Sequence, residues 1–418
     1  MDPHSRTSFE SVARAPKNDA RGPVIQMRLR RMDVAAKPTL PVVQARIHDH
    51  EERFQQNYSV GNTVFALCIY CVRPGHHPYR LVSRWRNPAS VQPSSIIPPE
   101  VAVPMDELRL PSSLESSTRI LVSGAGGGFD VYAGIPIYAR LRALGKQVFL
   151  GNLSFTALAG TDARALTPAL YVVDASTTGE DLYFPERTLA AFLRTLGHKT
   201  SIYSFAKSGV AAIREGYRHL VRLLDLDAIV LVDGGTDILL RGDEAGLGTP
   251  AEDMMSLAAV AGLDVPTRIV TCVGFGIDTY HGVCHANWLE NVAALTECGG
   301  FLGATALLPD MPEVKLYRDA VRTADSDHRH MESIVNGSIV SAIEGRFGDY
   351  HRTQRTQSSR LFISPLMTLV WAFDLMSVAR RNLYLHRLEK TRNAWDVLLA
   401  IEEFRAATPS RKTESIPY

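Results

Sequence analysis

Six apolar runs in this chain stop abruptly at small, polar or charged residues, and those stops are where chemistry is expected. Ile120–Val122 gives way to Ser123, Gly124, Ala125, Gly126, Gly127, Gly128, Phe129 and Asp130. Leu150 leads into Gly151, Asn152 and Ser154, Val173 into Asp174 and Ser176, and Phe205 into Lys207 and Ser208. Val232 is followed by Asp233, Gly234, Gly235, Thr236 and Asp237, and Val273 by Gly274, Gly276 and Asp278. Each of these alone is adequate turn chemistry. Their agreement matters because ligands of open parallel sheets bind outside the carboxyl ends of the strands.

Two of these loops carry most of the signal. In the first, Gly124, Gly126, Gly127 and Gly128 would let backbone N–H groups approach an anion at a helix start. The spacing is G-x-G-G-G, with Phe129 where a dinucleotide fingerprint has its third glycine, and no G-K-[ST] follows. A phosphate or carboxylate cradle and a tight strand-helix turn both fit. Asp130 would repel a bare phosphate and also serves as a helix cap. In the second loop Asp233, Asp237, Asp243 and Glu244 place four carboxylates in 12 residues. Acids so placed suit a hard divalent cation, hydrogen bonds to an ammonium or ribose group, or a paired acid and base. Asp233 and Asp237 are therefore the candidate catalytic residues. Gly124, Gly126, Gly127, Gly128, Asp130, Asp174, Lys207, Gly234, Gly235 and Asp278 are the candidate ligand-binding residues, with Lys207 as a point charge.

Other groups are weaker. His281 and His285 are four apart and would share a helix face, but H-E-x-x-H is absent. Cys284 reads as a buried small hydrophobe. Asp325, Asp327, His328 and His330 are explained as polar residues at the start of a helix over 328–346. Cys68-x-x-Cys71 with His76 and His77 lacks the separation of a zinc site.

The elements that would position these residues are α/β. The expected helices are 131–145, 186–196, 210–224, 250–263, 286–298, 313–322, 328–346, 374–388 and 391–406, read from apolar spacing and caps. Strands are expected at 120–122, 148–153, 170–174, 200–205, 228–233, 268–273 and 360–364. Such alternation needs crossovers, so the sheet is expected to be mainly parallel with helices on both faces. Residues 1–115 are proline-rich and irregular, and are expected to be a largely disordered or dispensable extension. A single domain would span 116–410.

Composition excludes several classes. With 418 residues and 45% hydrophobic content the chain can bury a large core. A net charge of +1 gives no reason to expect nucleic acid or an anionic membrane as partner. No apolar run is long enough to span a bilayer. Five cysteines, an odd and sparse set, fit a reducing cytoplasm. The expected partner is a small molecule, and self-association is left open.

The strings GAGGGFDVYAGIP, VDGGTDILLRGDEAGLGTPAED and GGFLGATAL resemble the family catalogued as domain of unknown function eleven-fifty-two, from near Arg119 to about Arg405. The resemblance implies a Rossmann-like α/β fold and carries no activity with it. Asp233-Gly-Gly-Thr-Asp237 is also similar to the D-G-G-N-E string of D-glutamate cyclases, with Thr236 and Asp237 in place of Asn and Glu. Function is thus expected to be that of a small-metabolite enzyme binding a polar, nucleotide- or phosphate-bearing ligand at the carboxyl edge of the sheet. A non-catalytic ligand-binding or sensor module is the alternative.

Overall fold

Ile229-Val-Leu-Val232 is a run of four apolar, mostly β-branched residues, and it forms the middle of a strand buried along its whole length. Burial on both faces requires layers on both sides, and the computed structural model shows them. It describes residues 107–180 and 182–416, together with the backbone of five strands nearer the N-terminus. The chain divides into two units, Met1–Val101 and Ala102–Tyr418.

In the first unit Arg53–Val60, Thr63–Tyr70 and Val82–Ser83 form an antiparallel sheet, and Val24–Gln26 pairs with Gln44–Arg46. Apart from 107–115, the rest of the stretch expected to be disordered lies outside the described residues. So do the side chains of Cys68, Cys71, His76 and His77. The second unit includes residues upstream of the expected start at 116: Leu108 and Leu114 are buried in its core.

The second unit is built on nine strands: β1 Arg119–Gly124, β2 Gln147–Ser154, β3 Arg164–Thr167, β4 Leu170–Val173, β5 Ile202–Ala206, β6 Ala228–Asp233, β7 Thr267–Cys272, β8 Phe301–Ala306 and β9 Leu369–Asp374. Their order across the sheet is β8-β9-β7-β6-β1-β2-β5-β4-β3. The five inner strands from β7 to β5 are mutually parallel. The two outermost strands on each side pair antiparallel. The sheet is therefore mixed rather than mainly parallel, with four pairings of each kind. On one side the cause is local, since Pro168-Ala169 turns β3 straight back into β4 as a hairpin.

Successive residues of a strand face opposite sides. Ile229 and Leu231 pack into one core with Met254 and Leu257 of α5 (Pro250–Ala261) and Tyr217 of α4 (Val210–Leu224). Val230 and Val232 pack into another, with Tyr138 of α2 (Ile135–Ala143) and Tyr317 of α7 (Pro312–Asp327). Helices thus cover both faces, as expected. Among the described residues no helix is long and apolar enough to cross a membrane.

β1 lies at the centre of the parallel set. The chain leaves it to one side for β2 and β5, then returns across it to β6 and β7. The direction of winding reverses between β1 and β6, the place where ligands of open parallel sheets bind.

Candidate functional site

Asp233 is the last residue of β6, and the period-2 alternation places its side chain on the α5 side of the sheet. The residues that meet it come from four other places. Asp130 opens a short helix, α1 (Asp130–Ala133), after the first glycine loop. Asp237 begins the 3₁₀ turn Asp237–Leu239. Asp253 lies in the first turns of α5, and Asp278 in the turn Ile277–His281 after β7. The carboxyl ends of β1 and β6 are thereby surrounded by acids.

Each acid but one is fixed by hydrogen bonds. Asp233 Oδ2 accepts from Ile238 N–H at 3.1 Å. Asp237 Oδ2 accepts from Thr249 N–H at 2.6 Å and from its hydroxyl at 3.3 Å. Asp278 Oδ2 takes Thr236 N–H at 2.7 Å and the Thr236 hydroxyl at 3.0 Å, so it clamps the Gly234-Gly235 turn. Gly126 N–H donates to Asp130 Oδ2 at 2.6 Å. Asp253 Oδ1 has no partner among the described residues, although Asp253 is only 2% exposed.

The glycines of both loops follow from this crowding. A Cβ on Gly126 would lie 2.8 Å from both Asp130 Oδ2 and Asp253 Oδ1, and one on Gly234 would lie 2.8 Å from Asp130 Oδ1. Any side chain there would displace a carboxylate. Gly127 and Gly128 instead turn the chain through positive φ.

The first loop has few donors to offer an anion. Ala125 N–H bonds Val232 C=O at 2.8 Å, Gly128 N–H bonds Leu153 C=O at 3.1 Å, and Gly126 N–H is taken by Asp130. The loop's Gly126 N–H solvates the Asp130 carboxylate.

Burial raises the proton affinity of the whole cluster, and mutual repulsion adds to it. The carboxyl of Asp278 is pushed up to about 8 by burial and then by Asp237. That of Asp130 is pushed up to about 7, burial outweighing the bonds from Gly126 and Gly234. Asp233 and Asp253 lie well above the ordinary carboxylate range, first from burial and then from the neighbouring acids. Asp237 is also raised by burial, with the Thr249 bonds opposing. Asp130 is the least covered of the five and marks the mouth. Among the described residues none of the five has a Lys or Arg ion pair, whereas Asp243 and Glu244 do.

The other expected site residues separate. Lys207 stands at the rim, paired with Glu252 at 2.5 Å and 4.5 Å above the Phe155 ring, which covers Gly127. Asp174 does not join them. β4 runs antiparallel to β5, with Val173 opposite Ile202, so Asp174 sits at the opposite edge of the sheet. It is exposed there, and Ser176 lowers its proton affinity through its hydroxyl and N–H. Asp243 and Glu244 are structural: Arg411 bonds the first at 2.9 Å and the second at 3.0 Å, tying down the C-terminal segment.

His281 and His285 do not share a helix, because Gly282 at φ +85° ends the turn between them. His285 stacks on Phe275 and meets the Thr279 hydroxyl at 3.0 Å. Cys284 is buried against the Glu414 backbone. Asp325 and Asp327 end α7 rather than start the next helix, which is α8 (Ile334–Ile343). His328 is buried, between Leu182 C=O at 3.1 Å and the Thr188 hydroxyl at 3.0 Å.

Asp253 and Glu186 were not legible as site residues from motifs. Their signal is periodicity: Asp253 shares its helix face with Leu257 and Val260, and Glu186 shares one with Leu189, Ala190 and Leu193. An acid on an apolar face is the informative exception. Glu186 is fully buried, accepts from Asn152 at 2.8 Å, and is pushed up to about 7 by burial. An open groove lies elsewhere, lined by Leu108, Leu110, Leu114, Val230, Leu302 and Val370. Arg109, Thr271 and Thr305 also line it, and it carries no acid.

A family model described as protein of unknown function (DUF1152) matches residues 121–409. Comparison with curated proteins and with solved structures gives no match.

Proposed function

Taking as premise that this chain belongs to the family of proteins of unknown function (DUF1152), we propose that it is an enzyme of small polar metabolites. The ligand binds across the carboxyl edge of the sheet, where β1 and β6 part. One observation carries the reading: five acids from four chain segments converge at that reversal of winding, four of them buried and Asp130 partly so, without Lys or Arg ion pairs among the described residues. Desolvated like charges oppose folding. Costs of this kind collect at functional sites, where the ligand offsets them.

The order β5-β2-β1-β6-β7 of the parallel strands supports a Rossmann-like reading, in which the crevice at the reversal is the usual ligand site. Asp233 and Asp237 are assigned the charged work of orienting the ligand or accepting its proton. Lys207, held near the first glycine loop through Phe155, offers a complementary charge for a phosphate or carboxylate on the ligand's outer end. Acids with proton affinity raised by burial suit general acid–base catalysis.

The test is thermal unfolding of the full chain against a panel of nucleotides, sugar phosphates and amino acids, with and without Mg2+. A ligand at 100 times its Kd adds about 2.7 kcal/mol. The reading expects at least one stabilising compound whose effect is lost in Asp233→Asn and Asp237→Asn. It fails if no compound shifts Tm, or if both variants bind as tightly as the parent. Binding without turnover would instead make the protein a sensor.

A further inference from the structure

We propose that Asp130, Asp233 and Asp253 together bind one hard divalent cation, Mg2+ or Mn2+, at the parting of β1 and β6. The inference rests on the same placement of the site as the proposed function but needs no turnover. Each carboxylate offers one oxygen, and the three oxygens lie within 4.8 Å of one another. Oxygens bound to one ion at about 2.1–2.4 Å sit about 3.0–3.4 Å apart at right angles and about 4.2–4.8 Å apart across it. The spacing therefore suits a single ion.

A second observation is independent of the acidity. Asp253 is 2% exposed and its Oδ1 lacks a hydrogen-bond partner. A buried polar oxygen left without a partner bears the full cost of its desolvation. The same oxygen and Asp130 Oδ2 both close on the space over Gly126, where a Cβ would stand 2.8 Å from each. The orphan is thus aimed at its neighbours' oxygens and away from solvent.

Charge decides what fills the gap. Carboxylates this close, and largely out of water, repel one another strongly. Among the described residues none of the three acids has a Lys or Arg ion pair, and Lys207 is committed to Glu252. An all-oxygen donor set favours Mg2+, Mn2+ or Ca2+ over Zn2+ or Cu2+. Mg2+ and Mn2+ are preferred because three carboxylates leave positions for water or an anionic ligand group. An ion here would also explain how phosphate could approach a loop whose N–H groups are already used.

The test is a titration of the full chain, stripped with chelator and dialysed, with Mn2+ alone, free Mn2+ being read by electron paramagnetic resonance. One Mn2+ should bind per chain and be displaced by excess Mg2+. Asp253→Asn and Gly126→Ala should each weaken binding by at least about ten-fold, and Asp174→Asn should leave it unchanged. Circular dichroism checks that the variants fold, and the parent titration decides even if they do not. The proposal is overturned if the parent binds no stoichiometric Mn2+, or if folded Asp253→Asn binds within two-fold of it. Mn2+ binding without any metabolite turnover would keep the cation site and sink the enzyme reading. Turnover unaffected by chelator, with no Mn2+ bound, would do the reverse.

Discussion

Asp278 offers the clearest quantitative handle on the acid cluster. Its carboxyl accepts two bonds from Thr236 on one oxygen, and burial raises it from 3.8 to about 8. A group whose folded-state pKa is raised binds a proton in the fold that the unfolded chain has released. Stability then falls as pH rises between the two values, because the folded state holds more protons there. From pH 5 to pH 8 the span is three units, worth at most about 4 kcal/mol at about 1.36 kcal/mol each. Asp278→Asn keeps an acceptor oxygen for Thr236 and never ionises. The remaining acids keep their own charge, so about 2 kcal/mol or more of the parent's loss should vanish in the variant. The assay is urea unfolding of parent and Asp278→Asn in chelator at pH 5, 6, 7 and 8. The two stabilities should diverge as pH rises, with the variant ahead at pH 8. Parallel curves over this range would refute the argument that burial and repulsion hold a proton on Asp278.

Further outcomes follow from the partners of other acids. Arg411→Ala removes bonds to Asp243 and buried Glu244, and should cost about 1–3 kcal/mol in denaturant unfolding, with Mn2+ and ligand binding unaltered. Asp174→Asn should change stability by less than about 0.5 kcal/mol and leave binding untouched, since it lies at the far edge of the sheet. Gly209→Ala would drive a Cβ to 2.2 Å from the Thr391 carbonyl oxygen, and calorimetry should find Tm several degrees lower.

The inner sheet was legible because its strands are continuous apolar runs ending in glycine or acid, as in Ile229–Asp233. The outer strands hid for different reasons. β8 contains Gly303 and small residues and is only half-buried, so no apolar run marks it. β3 is largely exposed. β9, Leu-Val-Trp-Ala-Phe-Asp, is apolar enough to be read, yet the last strand was expected at 360–364, where only Phe362–Ile363 pairs. Missing β3, β8 and β9 made the sheet look mainly parallel, and β4, expected at 170–174, was read in the parallel direction, which put Asp174 at the wrong edge. Direction is a property of pairing, and local sequence does not encode it. Asp130, Asp233, Asp237 and Asp278 were found because loops after parallel strands share one edge. Asp253 was not, because it reaches the cluster from a helix, through tertiary packing that motif spacing does not describe.

The central claim is that the acids between β1 and β6 serve a reaction on a small polar metabolite. The most direct measurement incubates the parent, Asp233→Asn and Asp237→Asn with a defined metabolite mixture and Mg2+, then follows each compound by mass spectrometry. The account predicts that the parent depletes at least one polar compound with a matching product, and that both variants leave it intact. It is contradicted if the parent depletes nothing, or if the variants deplete the same compound at the parent's rate.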